Sequence, residues 1–304
     1  MPAPLVECVP NFSEGRRPAV IARLVDAVRG AAGTRLLDVS SDPDHNRTVL
    51  TLVGGAEAVL EAAFRSAAVA VAEIDLRAHW GVHPRIGAVD VIPFVPLYGG
   101  SIEGCAALAR RLGAALASRL DLPVYLYAAA AAGPARRSLA EVRRGGFEGL
   151  RDTITEPGRR PDFGPVQVHP TAGAVAVGAR NVLIAMNVDL ASQDLGAARR
   201  IARAVRESSG GLPAVLAMGV PLPSKGLVQV SMNLLDYRRT PPLAAFTRVA
   251  AEAAHLGIDV AAGELIGCAP REALPPDPVD ALRLRSLRPE QILDPARLAR
   301  ELEV

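Results

Sequence analysis

Apolar and polar positions along this chain fall into two alternating periods. In residues 17 to 32, RPAVIARLVDAVRGAA, apolar side chains recur three and four apart, which predicts a helix with one face on a core. Pro18 suits its first turn and Gly33 its stop. The preceding PLVECVPNFS reads as a strand, and TRLLDVSSDPDHNRTVLTLVG as two strands around a polar turn at Asp42-Pro43-Asp44. An Ala-rich helix over 56–74, a strand over 86–96, a helix over 102–120 and the strand PVYLYAA follow. The first half is therefore β-α-β-β-α-β, with one more helix and strand after it.

Residues 133–173 break the pattern. They are rich in Gly, Pro and arginine, with Arg136, Arg137, Arg143, Arg144, Arg151, Arg159 and Arg160 among them. A short helix is expected over 138–144 within a long connection, and connections of this length are usually functional or disordered. The layout then repeats: NVLIAMNVDL as a strand, a helix over 192–208, two strands in AVLAMGVPLPSKGLVQVSMNLLD, a helix over 242–256, and IDVAAGELIGCAP as the closing strand. The halves share this order of elements but few letters. A Pro-rich stretch, PREALPPDPVD, leads to a helical C-terminal piece. The expected class is α+β: two β-α-β-β-α-β (ferredoxin-like) subdomains, residues 1–178 and 179–304, with helices on one sheet face and a ligand cleft between the sheets.

Composition narrows the function classes. A net charge of +2 and 4% aromatic residues argue against a nucleic-acid binder. The apolar runs are too short to span a membrane, and the N-terminus lacks a basic start followed by a long apolar run. Cys8, Cys105 and Cys268 are far apart and form no CxxC pattern. A cytoplasmic protein with reduced thiols is the simplest reading. Lys225 is the only lysine in an arginine-rich chain, which marks it as a candidate point cation near an anion.

The strongest local constellation is HWGVHPRIGAVDVIPFVPL, residues 79–97. Pro84 drives His83 out of helical dihedrals toward an extended conformation just before a strand. His79 and His83 have the i, i+4 spacing of a helical zinc pair. Gly81 and Pro84 oppose a helix there, however, and no glutamate lies between, so no metal site is expected. Asp38, late in an apolar strand, is placed either to pair at a sheet end or to hold an imidazole or ammonium. PDFGPVQVHPTAGAVAVGARN, residues 161–181, has the glycines to bring backbone N–H groups close to a flat ligand. It is not GxGxxG, and the chain has no GxxxxGK[ST] and no GxSxG. Residue chemistry alone thus indicates an α+β enzyme with a histidine base and leaves its substrate open.

Taken in order, LVECVPNFSEG, LLDV, NRTV, HPRIGAVDVIPFVPL, PVYLY, RRSL, PDFGP, GARNVLIAMNVDL, QVSMNLLDY and ELIG resemble the formiminotransferase domain family over about residues 4–275. The resemblance implies a stand-alone transferase, without the cyclodeaminase domain that follows in some members, and two subdomains enclosing a folate tunnel. It implies transfer of the formimino group of N-formimino-L-glutamate to tetrahydrofolate as co-substrate, giving 5-formiminotetrahydrofolate and L-glutamate in histidine degradation. The family's catalytic histidine maps to His83, with the acid of LLDV, Asp38, as helper. Its folate segment maps to Gly164, Pro165, Val166, Gln167, Val168, His169, Pro170, Thr171, Ala172 and Gly173, a version less aromatic and less serine-rich than in other members. Both substrates carry glutamate carboxylates, for which Arg47, Arg85, the arginines of the 133–173 connection and Lys225 are the candidate partners, Arg47 and Arg85 first because they flank the strongest motifs. A homodimer is expected. Two readings compete: formyl transfer between 5-formyltetrahydrofolate and glutamate, and a folate-binding protein without catalysis.

Overall fold

Leu5–Cys8 (β1) is buried at every position because it runs through the middle of a sheet. It continues into Asn11–Phe12 (β2), and the two lie in succession between the same neighbours, Arg47–Gly55 (β4) and Val89–Pro96 (β5). Thr34–Asp42 (β3) pairs antiparallel with the outer side of β4. The helices between these strands are Pro18–Arg29 (α1), Ala56–Glu73 (α2) and Ile102–Leu120 (α3). Pro18 opens α1, as its lack of an N–H predicts, and the hydroxyl of Ser101 caps α3 by accepting from the N–H of Gly104. Their apolar stripes, including Leu24, Ala63 and Leu112, share one core with Leu50, Leu52, Ile92 and Phe94 of the sheet.

Beyond β5 the sheet becomes parallel. Val124–Ala128 (β6) is the far edge, and Val175–Ala179 (β7) inserts between it and β5. The short helices Leu139–Val142 (α4) and Gly146–Thr153 (α5) lie in the arginine-rich connection that joins β6 to β7. From the sequence, β7 is expected to lie inside a glycine-rich ligand segment, 161–181. A five-residue run of small apolar residues carries no alternation, because a parallel strand flanked on both sides is buried on both faces. Just ahead of β5, Gly87 forms an isolated bridge with Gly173. A Cβ on Gly87 would lie 1.8 Å from the carbonyl oxygen of Ala174. Gly87→Ala is therefore expected to destabilise the fold by about 1–3 kcal/mol or more, read as a lower urea midpoint.

The second unit repeats the order of elements. Ile184–Leu190 (β8), Leu195–Val205 (α6), Val215–Leu222 (β9), Leu227–Leu234 (β10), Pro242–His255 (α7) and Val260–Ile266 (β11) form an antiparallel sheet in the order β11-β8-β10-β9. Its last, first, third and second strands are thus neighbours, the same order that β5, β1/β2, β4 and β3 follow in the first unit. Along β8 the core residues Ile184, Met186, Val188 and Leu190 alternate with Ala185, Asn187 and Asp189, the period of a strand with one apolar face. The chain then runs through Ala269–Pro270 (β12), Pro278–Ala281 (α8) and Ile292–Leu293 (β13) to Pro295–Glu301 (α9).

The computed structural model describes residues 4–304. The chain divides into one unit of Met1–Asn181 with Pro295–Val304 and another of Val182–Asp294. The break falls three residues after the expected one, within the loop that joins β7 to β8. The terminal helix, expected with the second half, joins the first unit, where Glu301 pairs with Arg35. The architecture is α+β. All three cysteines are buried and none forms a disulfide. No helix among the described residues is long and apolar enough to cross a membrane.

Candidate active site

The HPR segment has no regular structure of its own, so its shape depends on hydrogen bonds from outside it. Asn46 is the central support. It adopts φ 47°, a left-handed conformation that asparagine tolerates. Its Oδ1 accepts from the N–H of Gly15 at 2.9 Å, and its Nδ2 donates to the carbonyl of Trp80 at 2.9 Å. Its own carbonyl lies 3.0 Å from His79 Nε2. Arg85 Nε donates to His79 Nδ1 at 2.9 Å. Since a guanidinium can only donate, the hydrogen of His79 sits on Nε2 and points to Asn46. Burial holds the His79 pKa below its ordinary value; the Asn46 carbonyl opposes this and Arg85 adds to it. Val82 N–H donates to the carbonyl of Asp44 at 3.1 Å. Trp80 stays largely exposed, with the Arg16 guanidinium 3.4 Å from its ring centroid.

His83 is half-buried within this frame. Its Nδ1 lies 2.8 Å from the carbonyl of Pro84 and 2.9 Å from Arg47 Nη1. The His45 ring stands 6.0 Å away, centroid to centroid. Burial holds the His83 pKa well below 6.5, the guanidiniums of Arg47 and Arg143 depress it further, and the Pro84 carbonyl partly opposes them. The imidazole is therefore neutral at physiological pH.

Behind His83 lies a buried ionic network. Arg47, at the start of β4, donates from Nε and Nη2 to Asn11 Oδ1 at 3.1 and 2.7 Å, and from Nη1 to Asp90 Oδ2 at 3.0 Å. Asp90, with no exposed side-chain surface, also accepts from Arg143 on Oδ2 and from the N–H of Ile86 on Oδ1 at 2.9 Å. Burial alone would raise its pKa. Arg143, Arg47 and the Ile86 N–H outweigh that, so the carboxyl lies below its ordinary value and is ionised. Burial and Arg143 bring Arg47 down to about 10 against the pull of Asp90, which leaves it charged at neutral pH. Arg143 Nε is buried without a hydrogen-bond partner. An unsatisfied buried donor costs about 1–3 kcal/mol.

The segment Gly164–Gly173 is tied directly to the entrance of β5. Ala88 N–H donates to Ala172 O at 2.8 Å, Ala174 N–H to Ile86 O at 2.9 Å, and Leu76 N–H to Thr171 O at 2.9 Å. His169 and Gly173 exchange two backbone hydrogen bonds at 3.0 Å, and the His169 ring accepts from the N–H of Ala172 at 3.0 Å. His169 thus shapes its own turn. Val166 and Gln167, before it, are exposed.

The structure places the candidate residues unequally. His83 and Arg47 are in contact, and the 164–173 segment adjoins the strand that His83 introduces. Arg85 is a strut: besides His79, it holds Glu148 at 2.8 and 3.2 Å. Asp38 is buried on β3 and accepts from the Ser40 hydroxyl at 2.5 Å. The carboxylate that meets Arg47 beside His83 is Asp90. Lys225 belongs to the second unit, where it lies 3.2 Å from Asp189, which also accepts from Gln229 at 2.7 Å. Asn11 and Asp90 do not stand out in the sequence, and Arg143 does so only as one of the connection's seven arginines. Asp90 carried a usable signal, as the one acid in the apolar strand VDVIPFVP. Among the described residues no group of three or more His, Cys, Asp or Glu could hold a metal ion.

Comparison with known proteins covers both units. Residues 5–180 match the model of the formiminotransferase domain, N-terminal subdomain, and residues 185–276 that of the formiminotransferase domain. The chain is 45% identical to a glutamate formimidoyltransferase of Thermoplasma acidophilum over 89% of each chain. It is 42% identical to one of Streptococcus pyogenes serotype M1, over 90% of this chain and 91% of the relative. It is 43% identical to the formimidoyltransferase-cyclodeaminase of Sus scrofa, over 89% of this chain and 51% of the relative.

Proposed function

Because the chain belongs to the formiminotransferase family, we propose that it transfers the formimino group of N-formimino-L-glutamate to tetrahydrofolate, releasing 5-formiminotetrahydrofolate and L-glutamate, a step of histidine degradation. The observation that carries this reading is the 42–45% identity to glutamate formimidoyltransferases over about nine-tenths of the chain. The ferredoxin-like form of the two halves, a ligand cleft, folate contact along Gly164–Gly173, a cytoplasmic location and a homodimer belong to the same proposal.

His83 moves the proton in this reaction. The N5 lone pair of tetrahydrofolate attacks the amidine carbon, forming the new C–N bond and making N5 acidic; the C=N π pair moves onto the imino nitrogen and re-forms the double bond when the glutamate nitrogen leaves. His83 Nε2 takes the N5 proton while Nδ1–H stays on the Pro84 carbonyl, 2.8 Å away. The bond from carbon to the glutamate nitrogen then breaks, its electron pair stays on that nitrogen, and Nε2 returns the proton there. A depressed pKa suits this sequence: the imidazole is neutral and ready to accept at pH 7, and the imidazolium, once formed, is a stronger acid toward a poor leaving group. Burial keeps it so, together with the positive charges of Arg143 and of Arg47, which Asn11 and Asp90 fix in place.

Steady-state turnover tests the reading: N-formimino-L-glutamate with tetrahydrofolate is expected to react, and 5-formyltetrahydrofolate with glutamate to react far more slowly. Equal rates, or folate binding with no turnover of either donor, would refute it. The pH profile follows from the sign of the His83 shift. A base with a depressed pKa stays unprotonated through 6.5, so the acid limb of kcat/KM is expected to break below 6.5 and not at it. A break at or above 6.5 would mean that another group, or a differently placed imidazole, limits the rate.

A further inference from the structure

We infer that Arg143 is the seat of the donor's α-carboxylate, the one attached to the carbon that bears the leaving nitrogen. This rests on the transferase reading above and adds a substrate-binding residue to it. The first argument is charge. Arg47 and Arg143 converge on one carboxylate, Asp90, so the network leaves one positive charge uncompensated beside His83. A second anion is required to complete it, and the donor brings one.

The second argument is a count of donors. All three nitrogens of Arg47 are engaged, Nε and Nη2 on Asn11 and Nη1 on Asp90. Arg85 is committed to His79 and Glu148. Arg143 gives one nitrogen to Asp90, and its Nε is buried without a partner. Of the guanidiniums that reach the network, this one keeps a fork to offer, and a guanidinium fork matches a carboxylate.

The third is position. Arg143 follows α4, with its N–H on the carbonyl of Leu139 at 3.0 Å and its own carbonyl accepting from Gly146 at 2.9 Å. The guanidinium of Arg159 donates to the carbonyls of Glu141 at 3.1 Å and Arg144 at 2.8 Å, clamping the turn on either side. The N–H of Phe147 is tied to the carbonyl of Arg85 at 3.0 Å, which fixes the turn to the HPR segment. Such a side chain is oriented before a ligand arrives, so little ordering is left for binding to supply. The α-carboxylate must come close to the group that protonates the neighbouring nitrogen. Arg143 and His83 meet that need through shared partners, since Arg47 touches both His83 and Asp90.

The test pairs two donors, N-formimino-L-glutamate and N-formimino-4-aminobutyrate, which lacks only the α-carboxylate. Wild-type enzyme is expected to prefer the first by about 100-fold in kcat/KM. Arg143→Gln should raise KM for N-formimino-L-glutamate by a similar factor, leave KM for tetrahydrofolate unchanged, and shrink the preference to within a few-fold. Arg143→Lys, which keeps the charge beside Asp90 but loses the fork, should fall between them. The inference is overturned if wild-type enzyme uses both donors equally, a result that needs no variant, or if either folded variant keeps the full preference. It is also overturned if Arg143→Gln loses both donors in parallel, which would mark a purely structural role. Failure of wild-type enzyme on both donors would instead refute the transferase reading. The seat is then decided by calorimetric titration with L-glutamate and 4-aminobutyrate: tighter binding of glutamate that Arg143→Gln abolishes supports it, and equal binding overturns it.

Discussion

Alanine in place of His83 is expected to lower kcat for N-formimino-L-glutamate by about 10²- to 10⁴-fold, the usual contribution of a positioned acid–base group. KM for both substrates should change little, because the imidazole acts on a proton that moves only during reaction. The fold should survive. His83 is half-buried in an irregular segment, and without it Arg47 still holds Asn11 and Asp90. The anchors of the segment lie elsewhere, in His79, Asn46 and Arg85. Circular dichroism and folate binding matching wild type would separate lost chemistry from lost structure. Near-normal turnover in such a folded variant would remove His83 from the mechanism.

How far this site was legible in the sequence depends on how local each signal is. Pro84 constrains the residue directly before it, so His83 stood out from one dipeptide. The helical and strand periods are equally local, and they placed α1, α2, α3 and the four-stranded pattern of each unit. β7 was missed because a short strand with neighbours on both sides has no period to read. Asp90 was readable as a lone acid in an apolar strand but drew no attention beside the richer HPR motif. Arg143 was one arginine among many in a connection. What distinguishes it is a carboxylate 53 positions earlier in the chain, and no local pattern encodes that pairing. Arg85 shows the reverse: it borders the strongest motif, yet its donors serve His79 and Glu148.

Removing the carboxylate of Asp90 is expected to damage stability more than any other single change in the site. Asp90→Ala leaves Arg47 and Arg143 buried together with their common counter-charge gone, and breaking a buried pair by removing one partner costs about 3–5 kcal/mol. Against the 5–15 kcal/mol typical of a folded domain, that loss should appear as a large drop in the urea midpoint. The pH dependence has a definite sign. The carboxyl of Asp90 lies below its ordinary 3.8, so its stabilising effect is complete above 3.8 and is lost as pH falls through the depressed value. Wild type should therefore weaken in that acid range, and Asp90→Asn, already weaker at neutral pH, should lose less there. Because Arg143 shares the carboxylate, the two sites must couple. Adding Arg143→Gln to Asp90→Asn should cost less than Arg143→Gln does alone, since one of two repelling cations has gone. Strict additivity in that cycle would mean that Asp90 does not hold the two guanidiniums together, and the charge surplus assigned to the donor's carboxylate would lose its basis.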